Sequence, residues 1–185
     1  MDVQQLDIQG IFLITPKRHE DARGFFMEVY RDDVLRENGV YDKSFVQENH
    51  SFSKKGVLRG LHFQYNPPLG KLIRIINGAA FVVAVDIRFD SPTRGKWFGI
   101  ELSAENQKQL FAPAGFASGF CVTGDVAEVE YHYTVHYNGA GEAAIRYDDP
   151  DIAVAWPLDS PIVSDRDKQA ITFQEWLTRP EARLL

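Results

Sequence analysis

The chain has 185 residues, 44% of them apolar and 25% charged, and a formal net charge of −6. That length can bury one substantial core, and the composition is that of a globular protein. The acidic balance disfavours a nucleic-acid partner, which needs a basic face. No apolar run approaches a membrane span, and no basic-then-apolar segment opens the chain, so neither a membrane partner nor a secretory leader is expected.

The predicted elements are mostly short strands: 12–14, 24–30, 45–52, 57–64, 71–76, 79–87, 96–102, 107–112, 117–122 and 126–135. Turn signals separate several of them, at Asn66-Pro67-Pro68, Asn77-Gly78, Asp90-Ser91-Pro92 and Thr123-Gly124-Asp125. Two helices are expected. One covers 32–38 and ends at Gly39. The other covers 172–177, with Thr172 as N-cap and Glu175 completing a capping box. Many short strands at regular spacing point to a sandwich or barrel. The run 79–87 is apolar almost throughout, which predicts cover on both faces, from a second sheet or another subunit. The only cysteine, Cys121, lies in an apolar run and reads as a buried structural thiol. A lone cysteine excludes an internal disulfide and fits a reducing cytoplasm.

Two strands carry more polar chemistry than a core needs. Gly56-Val57-Leu58-Arg59-Gly60-Leu61-His62-Phe63-Gln64 places an arginine, a histidine and a glutamine among apolar residues. Burying such groups costs free energy unless each finds a partner or a ligand, so this strand is expected to line a polar pocket. In 126–135, alternation sends Ala127, Val129, Tyr131, Tyr133 and Val135 to one face, so the two phenols look inward. His62 has three readings: a satisfied core histidine, a metal ligand or a general base. No His-x-His surrounds it, and metal sites gather several ligands, so no metal is expected. An imidazole can hold and release a proton near neutral pH, which suits a base. Strict alternation puts Arg59 and His62 on opposite faces. Either Gly60 marks a bulge that re-aims one of them, or Arg59 reaches round from the rim.

The histidine strand also carries a resemblance. Together with Asp21-Ala22-Arg23-Gly24-Phe25-Phe26-Met27-Glu28, Phe45-Val46-Gln47-Glu48-Asn49-His50-Ser51 and Leu102-Ser103-Ala104-Glu105-Asn106, it resembles the dTDP-4-dehydrorhamnose 3,5-epimerase family. Similar blocks continue through Pro113-Ala114-Gly115-Phe116-Ala117-Ser118-Gly119-Phe120, Trp156-Pro157 and Ser164-Asp165-Arg166-Asp167. The resemblance implies an all-β, cupin-like jelly roll (a double-stranded β-helix) with short flanking helices. It implies one domain over 1–185, with a core of about 10–147 and an extension of about 148–185. It also implies a homodimer in which the Arg23 segment enters the neighbouring subunit's pocket.

The activity implied is cofactor-independent inversion at C3 and C5 of a dTDP-linked 4-keto-6-deoxy sugar. The ketone acidifies the neighbouring hydrogens and serves as the electron sink. By resemblance His62 is the base, Tyr131 the acid (with Tyr133 as rival), and Lys71 the cation at the C4 oxygen. Asp167 is the group that orients His62, and Asp165 competes for that role. Arg23, Glu28, Gln47, Asn49 and Arg59 match nucleotide-binding positions, Tyr137 a thymine-stacking position, and Glu142 and Arg166 further substrate contacts. Ser118 stands where many members carry a substrate-contacting histidine, and His132 where a lysine is common. The rivals are a 3- or 5-monoepimerase, a sugar ketoisomerase, a non-catalytic sugar-nucleotide-binding cupin, and a metal-dependent cupin dioxygenase.

Overall fold

The structure is a computed structural model that describes residues 1–42 and 44–185. Strand β1 (Asp2–Gln5) pairs antiparallel with β2 (Phe12–Thr15). Strands β3 (Arg18–Asp21) and β4 (Gly24–Met27) form a hairpin sheet of their own. Helix α1 (Asp32–Glu37) comes next, and Gly39 after it takes φ +73°. Then come β5 (Gln47–Lys54), β6 (Val57–Gln64), β7 (Lys71–Asp86) and β8 (Trp97–Ser103). They are followed by β9 (Gln109–Ala112), β10 (Phe116–Tyr133), β11 (Glu142–Ala144) and β12 (Ile162–Val163). Helices α2 (Asp165–Lys168) and α3 (Phe173–Thr178) lie near the C-terminus.

Two long strands organise everything else. The first part of β7 pairs with β9 and with the second part of β10, which β5 also borders. The second part of β7 pairs with β8 and with the first part of β10, which β6 also borders. Each long strand thus runs through both layers of a jelly roll. The turn signals at Asn77-Gly78 and Thr123-Gly124-Asp125 therefore do not end strands, as the sequence led us to expect. They mark the corner where both strands change layer. The β7–β10 register slips between Val122 and Ala127. Gly78, at φ +78°, faces the Val126 carbonyl so closely that a Cβ would lie 1.8 Å from its oxygen. Only glycine permits that approach.

Ile73, Ile75, Ala80, Val82, Ala84, Phe120, Val122, Ala127 and Val129 fill the space between the layers. The other face of β7 (Val83, Val85), with Ile87 just beyond it, is covered by the chain's own C-terminal part, through Phe173, Trp176 and Ala182. Both faces of the apolar run are therefore covered, the second by this extension. The buried Asp149 carboxylate ties the extension down by accepting from the N–H groups of Asp151, Ile152 and Phe173. Thr172 caps α3, and Glu175 completes the capping box. Cys121 is fully buried between β6 and β12, and burial pushes its thiol up to about 11.

Sequence patterns missed β1, β3, β11 and β12, and for the segment of α2 left a polar loop and a helix N-terminus both open. Strand β3 reads Arg-His-Glu-Asp and is exposed throughout, so it shows no alternation. The others are four residues or fewer.

Candidate active site

Strand β6 places the first two functional side chains. Its register against β10 shifts between Ser118, opposite His62, and Phe120, opposite Arg59. Gly60, at φ +131°, lies against Gly119, and a Cβ on Gly60 would sit 2.6 Å from the Gly119 Cα. The paired glycines let the two backbones close up around the irregularity. As a result Arg59 and His62 line the same cavity, which decides for the bulge over the rim.

That cavity, of about 180 Å³, opens between the two layers where the apolar filling stops. Lys71 and Ile73 come from β7, Ser118 and Tyr131 from β10, Ser51 from β5 and Glu142 from β11. The inward alternation predicted for the β10 tyrosines holds, and both Tyr131 and Tyr133 line this wall.

His62 Nε2 lies 2.6 Å from Asp167 Oδ1. The imidazole side chain is 27% exposed, whereas the carboxylate is 4% exposed. Ser164 caps α2 by accepting from the Asp167 N–H, which fixes the helix turn that presents this carboxylate. Asp165, two residues earlier, points away and is 91% exposed beside Lys168. Burial works to raise the Asp167 carboxyl, but hydrogen bonding and charge from His62, with the Gly60 and Ser164 donors, outweigh it and hold the group below its usual range. With Nε2 committed to Asp167, Nδ1 is the nitrogen left to take a proton.

The Lys71 ammonium donates to the His62 carbonyl oxygen and to Ser118 Oγ, each at 3.1 Å. Burial pushes it down to about 8, opposed by the nearby Glu142 carboxylate. Burial likewise raises the Tyr131 phenol, against a weak contact of 3.5 Å to Ser51 Oγ, so the phenol keeps its proton at neutral pH. Burial also raises Tyr133, with Asn49 as its hydrogen-bond partner. Arg59 is held at the wall by Ser53 Oγ (3.0 Å) and the Phe52 carbonyl oxygen (3.3 Å).

Gln47 accepts from the Tyr137 N–H and donates to Asn49. The Tyr137 hydroxyl donates to Glu142 at 2.9 Å, and Arg166 pairs with the same carboxylate. Arg23 and Glu28 are not gathered here. Arg23 lies on the β3–β4 turn, 90% exposed and paired with Asp21, and Glu28 is exposed just beyond β4. Sequence reasoning did not single out Ser53 or give Ser51 a role. The signal was available, because Gln47, Asn49, Ser51 and Ser53 share one face of β5 by period two.

Glu48, Glu130 and His132 bring ligand atoms within 4.8 Å of one another, on the outer face of β5 and β10. Arg74 already occupies Glu130 at 2.6 Å, which leaves little charge there for a cation.

A sequence profile described as dTDP-4-dehydrorhamnose 3,5-epimerase matches residues 5–175. The chain belongs to the dTDP-4-dehydrorhamnose 3,5-epimerase family. A dTDP-4-dehydrorhamnose 3,5-epimerase of Neisseria gonorrhoeae is 47% identical over 97% of this chain, which spans 58% of that protein's length. Another, of Shigella flexneri, is 48% identical over 90% of this chain and 93% of its own. The crystal structure of a dTDP-6-deoxy-D-glucose-3,5-epimerase from Legionella pneumophila Philadelphia 1, in complex with dTDP-4-keto-L-rhamnose, superimposes with a TM-score of 0.93 at 40% identity. It covers 98% of this chain and 96% of that one. The strand pattern pointed to a sandwich or barrel, and the jelly roll that the resemblance implied is the fold shared with that structure.

Proposed function

We propose that this chain is a cofactor-independent isomerase that converts dTDP-4-dehydro-6-deoxy-D-glucose to dTDP-4-dehydro-L-rhamnose by inverting C3 and C5. The observation that carries the reading is one cavity wall holding an imidazole backed by a buried carboxylate, a protonated phenol and a half-buried ammonium. Epimerisation beside a ketone needs those three functions. His62 Nδ1 removes the hydrogen at the carbon next to the carbonyl, and Asp167 stabilises the imidazolium and fixes the ring. The C–H electron pair becomes the C=C bond of an enolate, whose oxygen Lys71 stabilises. Tyr131 then delivers its proton from the other face. The ketone accepts the electrons, so the chemistry calls for neither metal nor nicotinamide.

Arg59 and Arg166 offer guanidinium forks suited to a diphosphate, and Gln47, Asn49 and Tyr137, joined to one another by hydrogen bonds, are assigned to the nucleoside. A homodimer with shared pockets accounts for Arg23 and Glu28. The β3–β4 hairpin stands apart from the main sheet and exposes Phe25 (48%) and Phe26 (73%), an apolar patch suited to a second copy. Among the described residues no helix is long and apolar enough to cross a membrane, and the lone buried thiol suits a reducing cytoplasm.

Incubation with dTDP-4-keto-6-deoxyglucose in deuterated water, read by NMR, tests the reading. Deuterium at both C3 and C5 with an L-rhamno product is expected. Label at C3 alone makes the protein a monoepimerase, and no label makes it a binding protein.

A further inference from the structure

Lys71 and Ser118 stand side by side on the cavity wall, and their hydrogens are not all spent. An ammonium carries three. One goes to the His62 carbonyl oxygen and one to Ser118 Oγ, each at 3.1 Å, and the third has no protein acceptor among the described residues. Ser118 Oγ accepts from the ammonium, so its own O–H is directed elsewhere, and it too has no protein acceptor among the described residues. Ser118 is 5% exposed and lines the cavity, so that donor is available to a group bound there. Its position is fixed twice over by the pairing of its Cα with those of His62 and Ala84. Two donors whose heavy atoms are 3.1 Å apart can meet on a single oxygen. A hydroxyl that accepts from a cation is also polarised into a better donor.

We propose that Ser118 is a second catalytic donor to the enolate oxygen: its hydroxyl and the free Lys71 N–H together form a two-point seat for the charge that develops when the ring hydrogen leaves. The step rests on the epimerase reading. The C–H bond breaks, its proton goes to His62 and its electron pair forms the C=C bond. The former carbonyl π pair settles on the oxygen between the two donors, and Ser118 forms no covalent bond. The groups facing the pair are His62 and Arg59 on β6, Tyr131 and Tyr133 on β10, and Glu142 on β11. Glu142 favours the ammonium that polarises the hydroxyl. The seat acts on charge absent from the ground-state ketone, so it bears on kcat more than on KM.

The test is Ser118→Ala, measured for deuterium uptake and turnover with dTDP-4-keto-6-deoxyglucose and for dTDP affinity by calorimetry. Removing one donor from a buried oxyanion site costs about 10²–10³ in rate where that donor dominates. With Lys71 still present, a fall in kcat and in exchange of about 10- to 100-fold is expected. KM and the dTDP Kd should stay within about threefold, because the nucleotide groups are untouched. A fall of less than about fivefold, or a loss of dTDP affinity that matches the loss of kcat, overturns the proposal. An unmutated protein that takes up no deuterium sinks the epimerase reading itself, and so separates the two failures.

Discussion

Replacing Asp167 with Asn removes one charge and little volume. The carboxylate lies 2.6 Å from His62 Nε2 and is 4% exposed. With charge centres about 4 Å apart and an effective dielectric of about 20, its attraction for the imidazolium is about 4 kcal/mol. At about 1.4 kcal/mol per factor of ten, that is roughly 10³ in the rate of proton removal. The imidazole is 27% exposed, and solvent screening trims the figure, so a loss of kcat of about 10²–10³ is expected, with KM little changed. An asparagine amide can also offer its N–H to Nε2 and favour the wrong tautomer, which acts in the same direction. The assay is the initial rate of deuterium uptake at C3 and C5 by NMR, with thermal melting as the check on folding. Asp165→Asn is the internal control, because that side chain is 91% exposed and should leave the rate within about twofold. A fully folded Asp167→Asn protein keeping more than about a tenth of the parent rate would refute the claim that this carboxylate supports the base.

Tyr131→Phe should remove the proton donor while leaving the base, so label still enters the sugar with retention while inversion falls by about 10²–10⁴, read as exchange against product by NMR. The proposed mechanism needs the Lys71 ammonium, and burial pushes its loss down to about 8. Turnover should therefore fall tenfold per unit above that pH, and a profile flat to about pH 9.5 would contradict the role. Glu142→Gln should move this limb to lower pH, since Glu142 favours the charged form. Away from the site, the fully buried Asp86 carboxylate accepts from Arg88, Ser91 and Thr93. Asp86→Ala leaves Arg88 unpaired and should cost about 3–5 kcal/mol. In a chain of this length that is a drop in Tm of about 6–20 °C by differential scanning calorimetry.

Local chemistry in the sequence carried a good part of this. Alternation along 126–135 put Ala127, Val129, Tyr131 and Tyr133 on one face, because strand side chains alternate whatever the strand packs against. The Thr172 and Glu175 capping box is likewise a property of four adjacent residues. Glycine punctuation at Asn77-Gly78 and Thr123-Gly124-Asp125 located the bends but not their nature. A glycine that ends a strand and one whose added Cβ would lie 1.8 Å from a partner strand's carbonyl oxygen look alike until that partner is known. The choice between Asp165 and Asp167 rested on the rotation of one short helix, set by the Ser164 cap and by where α2 meets β6. Whether Arg59 could join His62 depended on Gly119, nearly sixty residues away, accepting Gly60 against its backbone. Residue type and period thus fixed which side chains could do chemistry. Only the pairing of β6, β7 and β10 decided which of them meet, because strand register is set by contacts between segments far apart in the chain.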